Sequence, residues 1–250
     1  GPARINTAVT EPDGTTTKLN ELGAGLSEQE IAAVEHALLE TLATTPLPVG
    51  ASPHHWAVLS GSLPPGIPTN WYARLVGLLR EAAPGLRIAV DTSDEPLAAL
   101  AAELPDSAPD LIKPNGEELG QLAGLPADRA MALEEGAVEG NYDPVVDAAR
   151  LLVGLGIGAV MVTLGPAGAV LVTADGAWHA TAPEVPVVST VGAGDSSVAG
   201  YILADVNGGD EAERLRTAMA YGSAAASLPG TTLPTPADLP EQVAVVTRLS

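Results

Sequence analysis

A glycine-rich turn that contains a single acid is the stretch of this sequence best suited to chemistry. It runs Ser-Thr-Val-Gly-Ala-Gly-Asp over residues 189–195 and leads at once into an apolar helical segment. Gly192 and Gly194 let the backbone turn sharply and approach a ligand closely. The amides of residues 191–195 are then expected to point outward, unpaired, at the positive end of a helix dipole, which suits phosphate. Because Asp195 could accept the proton of an attacking hydroxyl, the turn predicts a phosphoryl-transfer site or, more simply, a capped helix N-terminus.

A second polar cluster is predicted where a short strand meets the next helix, in the sequence Lys-Pro-Asn-Gly-Glu-Glu at residues 113–118. Pro114 cannot donate to a sheet ladder, so the strand should end there. Asn115 and Glu118 are three residues apart and share one face of the helix mouth. They could hold a hydrated Mg²⁺, which prefers oxygen ligands, or simply form a capping box. Lys113, one of only two lysines in the chain, is the cation nearest to this mouth.

Three more groups follow predicted strands, at the positions where α/β sheets place ligands. The sequence Ser-Gly-Ser-Leu-Pro-Pro-Gly at residues 60–66 is either a ligand loop or a rigid connector. Asp91 ends a strand and could cap a helix or serve a site. The sequence Thr-Leu-Gly-Pro-Ala-Gly at residues 163–168 by itself indicates no more than a hairpin turn. The residues alone leave these alternatives open.

The chain opens with a pattern typical of a β-hairpin. Residues 4–9 alternate like a strand, Asp13-Gly14 is a turn signal, and residues 15–19 form the return strand. Both strands carry many polar positions, so one face of the hairpin should be exposed to solvent. From pattern alone, the segment could be an edge hairpin without a function.

The elements that must position these groups alternate along the chain. The predicted strands include 56–59 and 159–164, both expected to be buried, and 87–91. The predicted helices are one that starts at the Ser27 capping box, then 70–83, 95–103, 144–154 and 212–226. This alternation predicts an α/β fold with a mainly parallel sheet flanked by helices, and right-handed crossovers gather the loops at one edge. The acidic segment 124–143 is interpreted as a solvent-exposed helix and loop with no catalytic or binding role. His179 is interpreted as a surface residue on an edge strand.

The bulk composition narrows the function classes. The chain has 250 residues, a net charge of −20 and no cysteine. So acidic a protein lacks the cations that meet nucleic-acid phosphates, and without cysteine it forms no disulfide. No apolar run reaches the length of a membrane span. The length allows one large core or at most two small domains, and the composition predicts a globular protein, suited to the cytoplasm, with neither nucleic acid nor membrane as a partner.

Taken together and in this order, the motifs resemble those of the ribokinase-like carbohydrate kinases of the phosphofructokinase B type. At position 189 many members have Asp, whereas this chain has Ser, and in this it resembles the 1-phosphofructokinase branch. The resemblance runs from Arg4 to about Pro236 and implies one kinase domain over residues 1–250, with a small lid-type hairpin at 4–22 and an α/β core at 27–250.

The resemblance also implies a role for each motif. Asp195 would be the catalytic base, and the amides of Gly192, Ala193 and Gly194 would form the anion hole. The residues implied to bind the sugar phosphate are Arg4, Asn6 and Ser62. The residues implied to bind the nucleotide are Lys113, Asn115, Glu118, Thr163, Gly165 and Gly168. Asn115 and Glu118 would hold Mg²⁺ through water.

The activity implied by the resemblance is ATP-dependent phosphorylation of a sugar phosphate, with fructose 1-phosphate converted to fructose 1,6-bisphosphate. Tagatose-6-phosphate kinase, 6-phosphofructokinase and a non-catalytic nucleotide-binding remnant are the alternatives. Complete family members carry a sugar-binding Asp and a Gly-Gly-Lys-Gly-x-Asn stretch before the Arg-x-Asn segment, and neither precedes Arg4 here. We therefore expect the N-terminal third of the family fold to be absent and these residues alone not to catalyse at a useful rate. A homodimer through the lid is also an expectation.

Overall fold

The computed structural model describes residues 1, 3–10, 16–45 and 55–250, and the predicted Asp13-Gly14 turn lies outside them. Two sheets form within the described residues: a two-stranded hairpin near the N-terminus and a seven-stranded sheet with a helical layer on each face. The predicted α/β fold with a small N-terminal hairpin is therefore confirmed. None of the helices in these residues is long and apolar enough to cross a bilayer.

The strands of the large sheet follow one another in chain order. They are β3 (Trp56–Ser60), β4 (Arg87–Asp91), β5 (Leu111–Ile112), β6 (Ala159–Thr163), β7 (Ala169–Thr173), β8 (Gly176–Ala180) and β9 (Val246–Arg248). The strands β3 to β6 run parallel, whereas β6 to β9 pair antiparallel. The carboxyl ends of β3 to β6 consequently meet at one edge, where the candidate site lies.

The described residues also form the helices that connect and cover these strands. They are α1 (Glu28–Thr44), α2 (Trp71–Ala82), α3 (Asp94–Ala102), α4 (Gly116–Leu122), α5 (Ala127–Val138), α6 (Asp143–Gly154), α7 (Ala193–Val206) and α8 (Glu211–Ala226). The helices α2, α3, α6 and α8 agree with their predictions to within one residue at either end. The predicted capping box is present at Ser27, whose side chain accepts from the amide of Glu30.

Side chains of the sheet alternate between two aliphatic cores. In β4, Ile88 and Val90 pack into the core shared with α2 to α6, whereas Ala89 faces the core shared with α7 and α8. In β6, Val162 and Met161 divide in the same way. Since successive residues of a strand point to opposite faces, both layers of helices bury apolar area on one sheet.

The helices α7 and α8 lie in close backbone contact because small residues face each other. A Cβ on Gly200 would lie 2.6 Å from the carbonyl oxygen of Thr217, and one on Gly222 would lie 2.2 Å from Ser197 Oγ. Ser197 Oγ is itself held, since it donates to the carbonyl of Ala193 at 2.9 Å. There is no room for a methyl group at either glycine, so α7 is fixed against α8.

A buried ionic cluster fixes the C-terminal end of α7. Asp205 is fully buried, and its Oδ1 accepts from Arg87 Nη1 at 2.6 Å and lies 2.9 Å from Arg214 Nε. Its Oδ2 accepts from the indole N–H of Trp56 at 2.9 Å. One carboxylate thus ties α7 to β3, β4 and α8. Burial raises the pKa of the adjacent Tyr201 to about 12, so that phenol stays neutral.

The N-terminal hairpin consists of β1 (Asn6–Thr10) and β2 (Thr16–Asn20), which pair antiparallel with Thr7 opposite Leu19. Three apolar side chains on and beside these strands, Ile5, Val9 and Leu19, are at least half exposed. The hairpin therefore presents an apolar surface as well as polar positions.

The sequence interpretation of His179 is wrong. The residue is 8% exposed, and its strand β8 lies between β7 and β9 rather than at an edge. The strand that takes β8 off the sheet edge, β9, has only three residues and carries no strong strand pattern. A surface assignment was therefore the natural error.

Two further segment interpretations need correction. The strand at 56–59 is not fully buried, since Val58 is 49% exposed on β3, which is an edge strand among the described residues. The segment 124–143 is only partly solvated, because α5 buries apolar residues that include Leu133. Its Glu134 also accepts from the amide of Gly116, at the start of α4.

Candidate active site

The glycine-rich turn begins α7, as its sequence predicts. Gly192 has a φ of 78°, in the left-handed region that glycine adopts without strain, and α7 starts at the next residue. Its carbonyl accepts from the amide of Ser196 at 2.9 Å, which closes the first turn of the helix. The turn therefore places its amides at the positive end of the α7 dipole.

Fewer amides are open in this turn than the sequence predicts. The amide of Val191 donates to Ser189 Oγ at 3.2 Å, and that of Ala193 reaches the carbonyl of Thr190 at 3.4 Å. Within the described residues, the amides at positions 192, 194 and 195 make no hydrogen bond. These three can donate to an anion at the mouth of α7.

Asp195 lies in the first turn of α7 with its side chain exposed. Its Oδ1 accepts a hydrogen bond from Ser60 Oγ at 3.2 Å. Ser60 is the last residue of β3, so the contact joins the acid to the edge where the parallel strands end. A carboxylate held on one side by a hydroxyl keeps its other oxygen open to a ligand.

Lys113 is the cation at this turn. Its Nζ lies 3.3 Å from Asp91 Oδ1, and a Cβ on Gly194 would lie 3.0 Å from the same Nζ. Burial raises the pKa of Asp91; the Lys113 ammonium opposes that rise, and the charge of Asp195 adds to it. The ammonium is therefore placed between a buried acid and the anion-binding turn.

Asn115 and Glu118 form the capping box that was one of the two predictions for them. Asn115 Oδ1 accepts from the amide of Glu118 at 2.8 Å, and Glu118 Oε2 accepts from the amide of Asn115 at 2.9 Å. Burial raises the pKa of Glu118, and the charges of Asp91 and Asp94 add to the rise, which Lys113 opposes. The Lys113 ammonium thus offsets the charges of two carboxylates, Asp91 and Glu118.

The same residues fit a hydrated magnesium ion better than a metal held by protein alone. In the part of the chain that the structure describes, no three Asp, Glu, His or Cys side chains form a metal-binding group. The capping bonds occupy Asn115 Oδ1 and one oxygen of Glu118, and they leave the other Glu118 oxygen free. Mg²⁺ keeps several waters and is held by one or two carboxylates together with substrate phosphates, which this arrangement allows.

A cavity of about 640 Å³ opens beside the turn. Gly194 of α7 and Thr163 at the end of β6 both line it. The walls between them come from the turn after β6, the segment after β8 and α8, through residues that include Gly165, Pro166, Gly168, Val185, Val187 and Met219. Its volume lies in the range of cofactor sites. The three predicted nucleotide residues 163, 165 and 168 therefore share one cavity with the anion-binding turn.

Two predicted sugar-site residues that lie 58 positions apart in the sequence are in contact. Arg4 Nη1 donates to Ser62 Oγ, and Arg4 Nε donates to the carbonyl of Glu21 at 2.7 Å. Arg4 therefore joins the hairpin to the loop after β3, and its guanidinium is exposed there. The third predicted residue, Asn6, is exposed in β1 opposite Asn20.

Ser60 was not predicted to belong to the site, and Asp91 was predicted either to cap a helix or to serve a site. Both end parallel strands, β3 and β4, whose final residues are paired in the sheet. Their position at the ends of predicted strands could have indicated a role in the site, because adjacent parallel strands bring the residues at their carboxyl ends together.

Comparisons with known proteins agree on one family. The family model for pfkB family carbohydrate kinases matches residues 3–238. The chain is 38% identical over 250 residues to 1-phosphofructokinase of Rhodobacter capsulatus, with 99% of this chain and 69% of the relative covered. It is 34% identical over 253 residues to 1-phosphofructokinase of Escherichia coli K12, with 100% of this chain and 70% of the relative covered.

A solved structure, phosphofructokinase-2 from Escherichia coli in complex with substrates and products, matches with a TM-score of 0.73 and 33% identity. The match covers 93% of this chain and 67% of that one. The chain therefore spans about two thirds of the length of these relatives.

Proposed function

Since the chain belongs to the pfkB family of carbohydrate kinases, we propose that it transfers the γ-phosphoryl group of ATP to the C6 hydroxyl of fructose 1-phosphate. The products are fructose 1,6-bisphosphate and ADP. The names of the relatives at 34% identity and above support the choice of sugar. The bond that forms joins the C6 oxygen to phosphorus, and the bond to the β-phosphate oxygen of ATP breaks.

One observation carries the proposal: the carboxylate of Asp195, three open amides and the ammonium of Lys113 converge on one turn. Asp195 takes the proton of the C6 hydroxyl as its oxygen attacks. The amides and Lys113 donate to the oxygens of the transferred group, whose charge they stabilise. Ser60 holds Oδ1 of Asp195, so Oδ2 faces the hydroxyl.

The nucleotide is proposed to occupy the 640 Å³ cavity with its phosphates toward Gly194. Thr163, Gly165 and Gly168 would line it, and Lys113 would reach the phosphates. Asn115 and Glu118 would hold Mg²⁺ through water. When bound, that ion neutralises phosphate charge.

Nucleotide binding is expected to depend strongly on Mg²⁺. Without the ion, the phosphates of ATP meet the carboxylates of Asp91, Glu118 and Asp195 with Lys113 as the cation between them. We expect calorimetry on this chain to give a Kd for ATP in EDTA at least about tenfold above that for Mg-ATP. Glu118→Gln, which removes one charge but keeps the capping oxygen, should reduce this ratio. Equal affinities with and without Mg²⁺ would contradict the proposed arrangement.

Arg4 is proposed to bind the phosphate that the sugar already carries, with the hairpin at 4–22 acting as a lid on the core at 27–250. An exposed guanidinium fork suits a phosphate better than an ammonium does. Arg4→Ala should raise the KM for fructose 1-phosphate by about 10- to 100-fold, the loss of one or two charged hydrogen bonds, and leave the KM for ATP unchanged. Arg216→Ala, at an exposed ion pair on α8, is the matched control. If Arg4→Ala changes both KM values equally, Arg4 has no specific role at the sugar.

The function itself is tested by ADP release with fructose 1-phosphate, fructose 6-phosphate and tagatose 6-phosphate. Residues 1–250 are assayed beside any longer polypeptide that the gene encodes. The proposal expects the highest kcat/KM for fructose 1-phosphate. A higher value for fructose 6-phosphate would favour the second candidate, 6-phosphofructokinase, which the match to phosphofructokinase-2 supports. Mg-ATP binding without turnover of any of these sugars would favour a non-catalytic remnant.

The apolar surface of the hairpin supports a homodimer. Ile5, Val9 and Leu19 are exposed on one small element, and pairing two copies would remove them from water. We expect light scattering to give about twice the 25.1 kDa mass of one chain, and Leu19→Asp to halve the value. A monomer before the substitution would exclude this role.

The proposed location, the cytoplasm, is where ATP and sugar phosphates are available, and cell fractionation would test it.

A further inference from the structure

The buried side chain of His179 has no part in the proposed reaction, yet it contacts a wall of the cavity. Its Nε2 lies 2.7 Å from the carbonyl oxygen of Ala167. A carbonyl only accepts hydrogen bonds, so Nε2 carries a proton and donates. Because His179 is 8% exposed, water does not compete freely for this bond.

A second contact holds the imidazole in this orientation. The ring of Tyr142, just before α6, stacks on it with centroids 4.0 Å apart and planes 24° apart. Rotation of the imidazole about its side-chain bonds would break the stack as well as the hydrogen bond. His179 is therefore a rigid donor.

The acceptor belongs to a tight turn that forms part of the cavity. Residues Gly165–Ala167 make one turn of 3₁₀ helix, closed by a bond from the amide of Gly168 to the carbonyl of Gly165 at 3.1 Å. Carbonyls at the end of such a turn have no partner within it, and His179 satisfies that of Ala167. Gly165, Pro166 and Gly168 line the cavity.

The turn has little freedom to move without changing the cavity. A Cβ on Gly168 would lie 1.9 Å from the carbonyl oxygen of Ala180, next to His179 on β8. The amide of Leu164 donates to the carbonyl of Gly168 at 2.9 Å. A displacement of Ala167 would consequently shift Pro166 and Gly168, which flank it and line the cavity.

We propose that His179 is a positioning residue for the nucleotide: by holding the carbonyl of Ala167, it keeps the turn at 165–168 in the shape that binds Mg-ATP. It does so without touching the ligand. This inference rests on the proposed nucleotide site and adds a residue that the family resemblance does not supply.

Two substitutions distinguish the effect of losing the hydrogen-bond donor from the effect of losing the aromatic ring. His179→Phe keeps the stack on Tyr142 and loses the donor, whereas His179→Gln keeps a side-chain N–H at a similar reach and loses the ring. We expect His179→Phe to raise the Kd for Mg-ATP in calorimetry by about 3- to 10-fold, the loss of one hydrogen bond. His179→Gln should restore affinity to within about twofold of the original, and neither should change the affinity for fructose 1-phosphate.

A matched control removes a similar bond elsewhere. Ser107 is buried, and its Oγ donates to the carbonyl of Leu100 at 3.1 Å, away from the cavity. Ser107→Ala loses a buried bond from a side chain to a carbonyl, and it should leave the Kd for Mg-ATP unchanged. Hydrogen exchange at the amides of Leu164 and Gly168 should accelerate in His179→Phe and not in Ser107→Ala.

Several outcomes would overturn the inference. They are an unchanged Kd in His179→Phe, an equal rise in Ser107→Ala, and a fall in affinity for His179→Gln as large as that for His179→Phe. If His179→Phe does not fold, His179→Leu, which is smaller and also lacks the donor, replaces it; an unchanged Kd there counts against the inference. An original chain that binds no Mg-ATP would contradict the nucleotide site and this role together, whereas binding retained by every variant contradicts only the role of His179.

Discussion

Asp195→Asn is expected to lower kcat by about 10²- to 10⁴-fold, the usual contribution of a general base. The amide has nearly the same shape as the carboxylate and can still accept from Ser60 Oγ, but it cannot take the proton of the sugar hydroxyl. The loss should appear in kcat rather than in the KM for either substrate, because the base acts in the transition state. Steady-state ADP release with fructose 1-phosphate, on whichever polypeptide is active, gives both values.

The same substitution makes a second, opposite prediction for binding. Removing a negative charge from the anion-binding turn should leave the Kd for Mg-ATP unchanged or lower it. Asp147→Asn, at an exposed acid of α6, serves as the control for loss of charge alone. Near-normal turnover in Asp195→Asn would contradict the assignment of Asp195 as the general base. Weaker nucleotide binding would indicate instead that the substitution damages the turn.

Asp205→Ala is expected to lower the free energy of unfolding by about 3–5 kcal/mol, the cost of removing one partner from a buried ion pair. Arg87 and Arg214 would lose the carboxylate that faces them, and the indole of Trp56 would lose its acceptor. Urea denaturation followed by circular dichroism measures the change. Asp205→Asn should cost less, because its side-chain oxygen still accepts a hydrogen bond.

The control for this cluster is an ion pair on the surface. Asp147 lies 3.9 Å from Arg150, and its side chain is 77% exposed. Asp147→Ala should cost at most about 1 kcal/mol, since water solvates the remaining charge. If Asp205→Ala costs no more than Asp147→Ala, the cluster does not hold the end of α7.

Much of the fold and of the site could be predicted because local signals agreed with it. The turn at 189–195 combines glycine, a single acid and a following apolar helix, and the structure forms α7 there. The capping box at Asn115 and Glu118 was predicted as an alternative, and hydrogen bonds confirm it. These features depend on residues a few positions apart, which a sequence displays directly.

The features that the sequence did not predict depend on distant residues. His179 lies off the sheet edge because β9, which follows two helices later in the chain, pairs with its strand, and its side chain is buried against Tyr142 and the turn that contains Ala167. The bond between Ser60 and Asp195 joins residues 135 positions apart. The acid of Asp91 could be placed beside Lys113 only once the order of β4 and β5 was known. Tertiary pairing, rather than local propensity, decides each of these positions.

The close contact of α7 and α8 also limits how this site can diverge. Position 200 faces a backbone carbonyl, and position 222 faces a hydroxyl that is already bonded. A larger residue at either position would push α7 away from α8 and carry Asp195 with it. Lineages that drift at these two glycines must therefore change the facing helix at the same time, so we expect substrate preference to diversify through the hairpin and the loops while the helix pair stays constant.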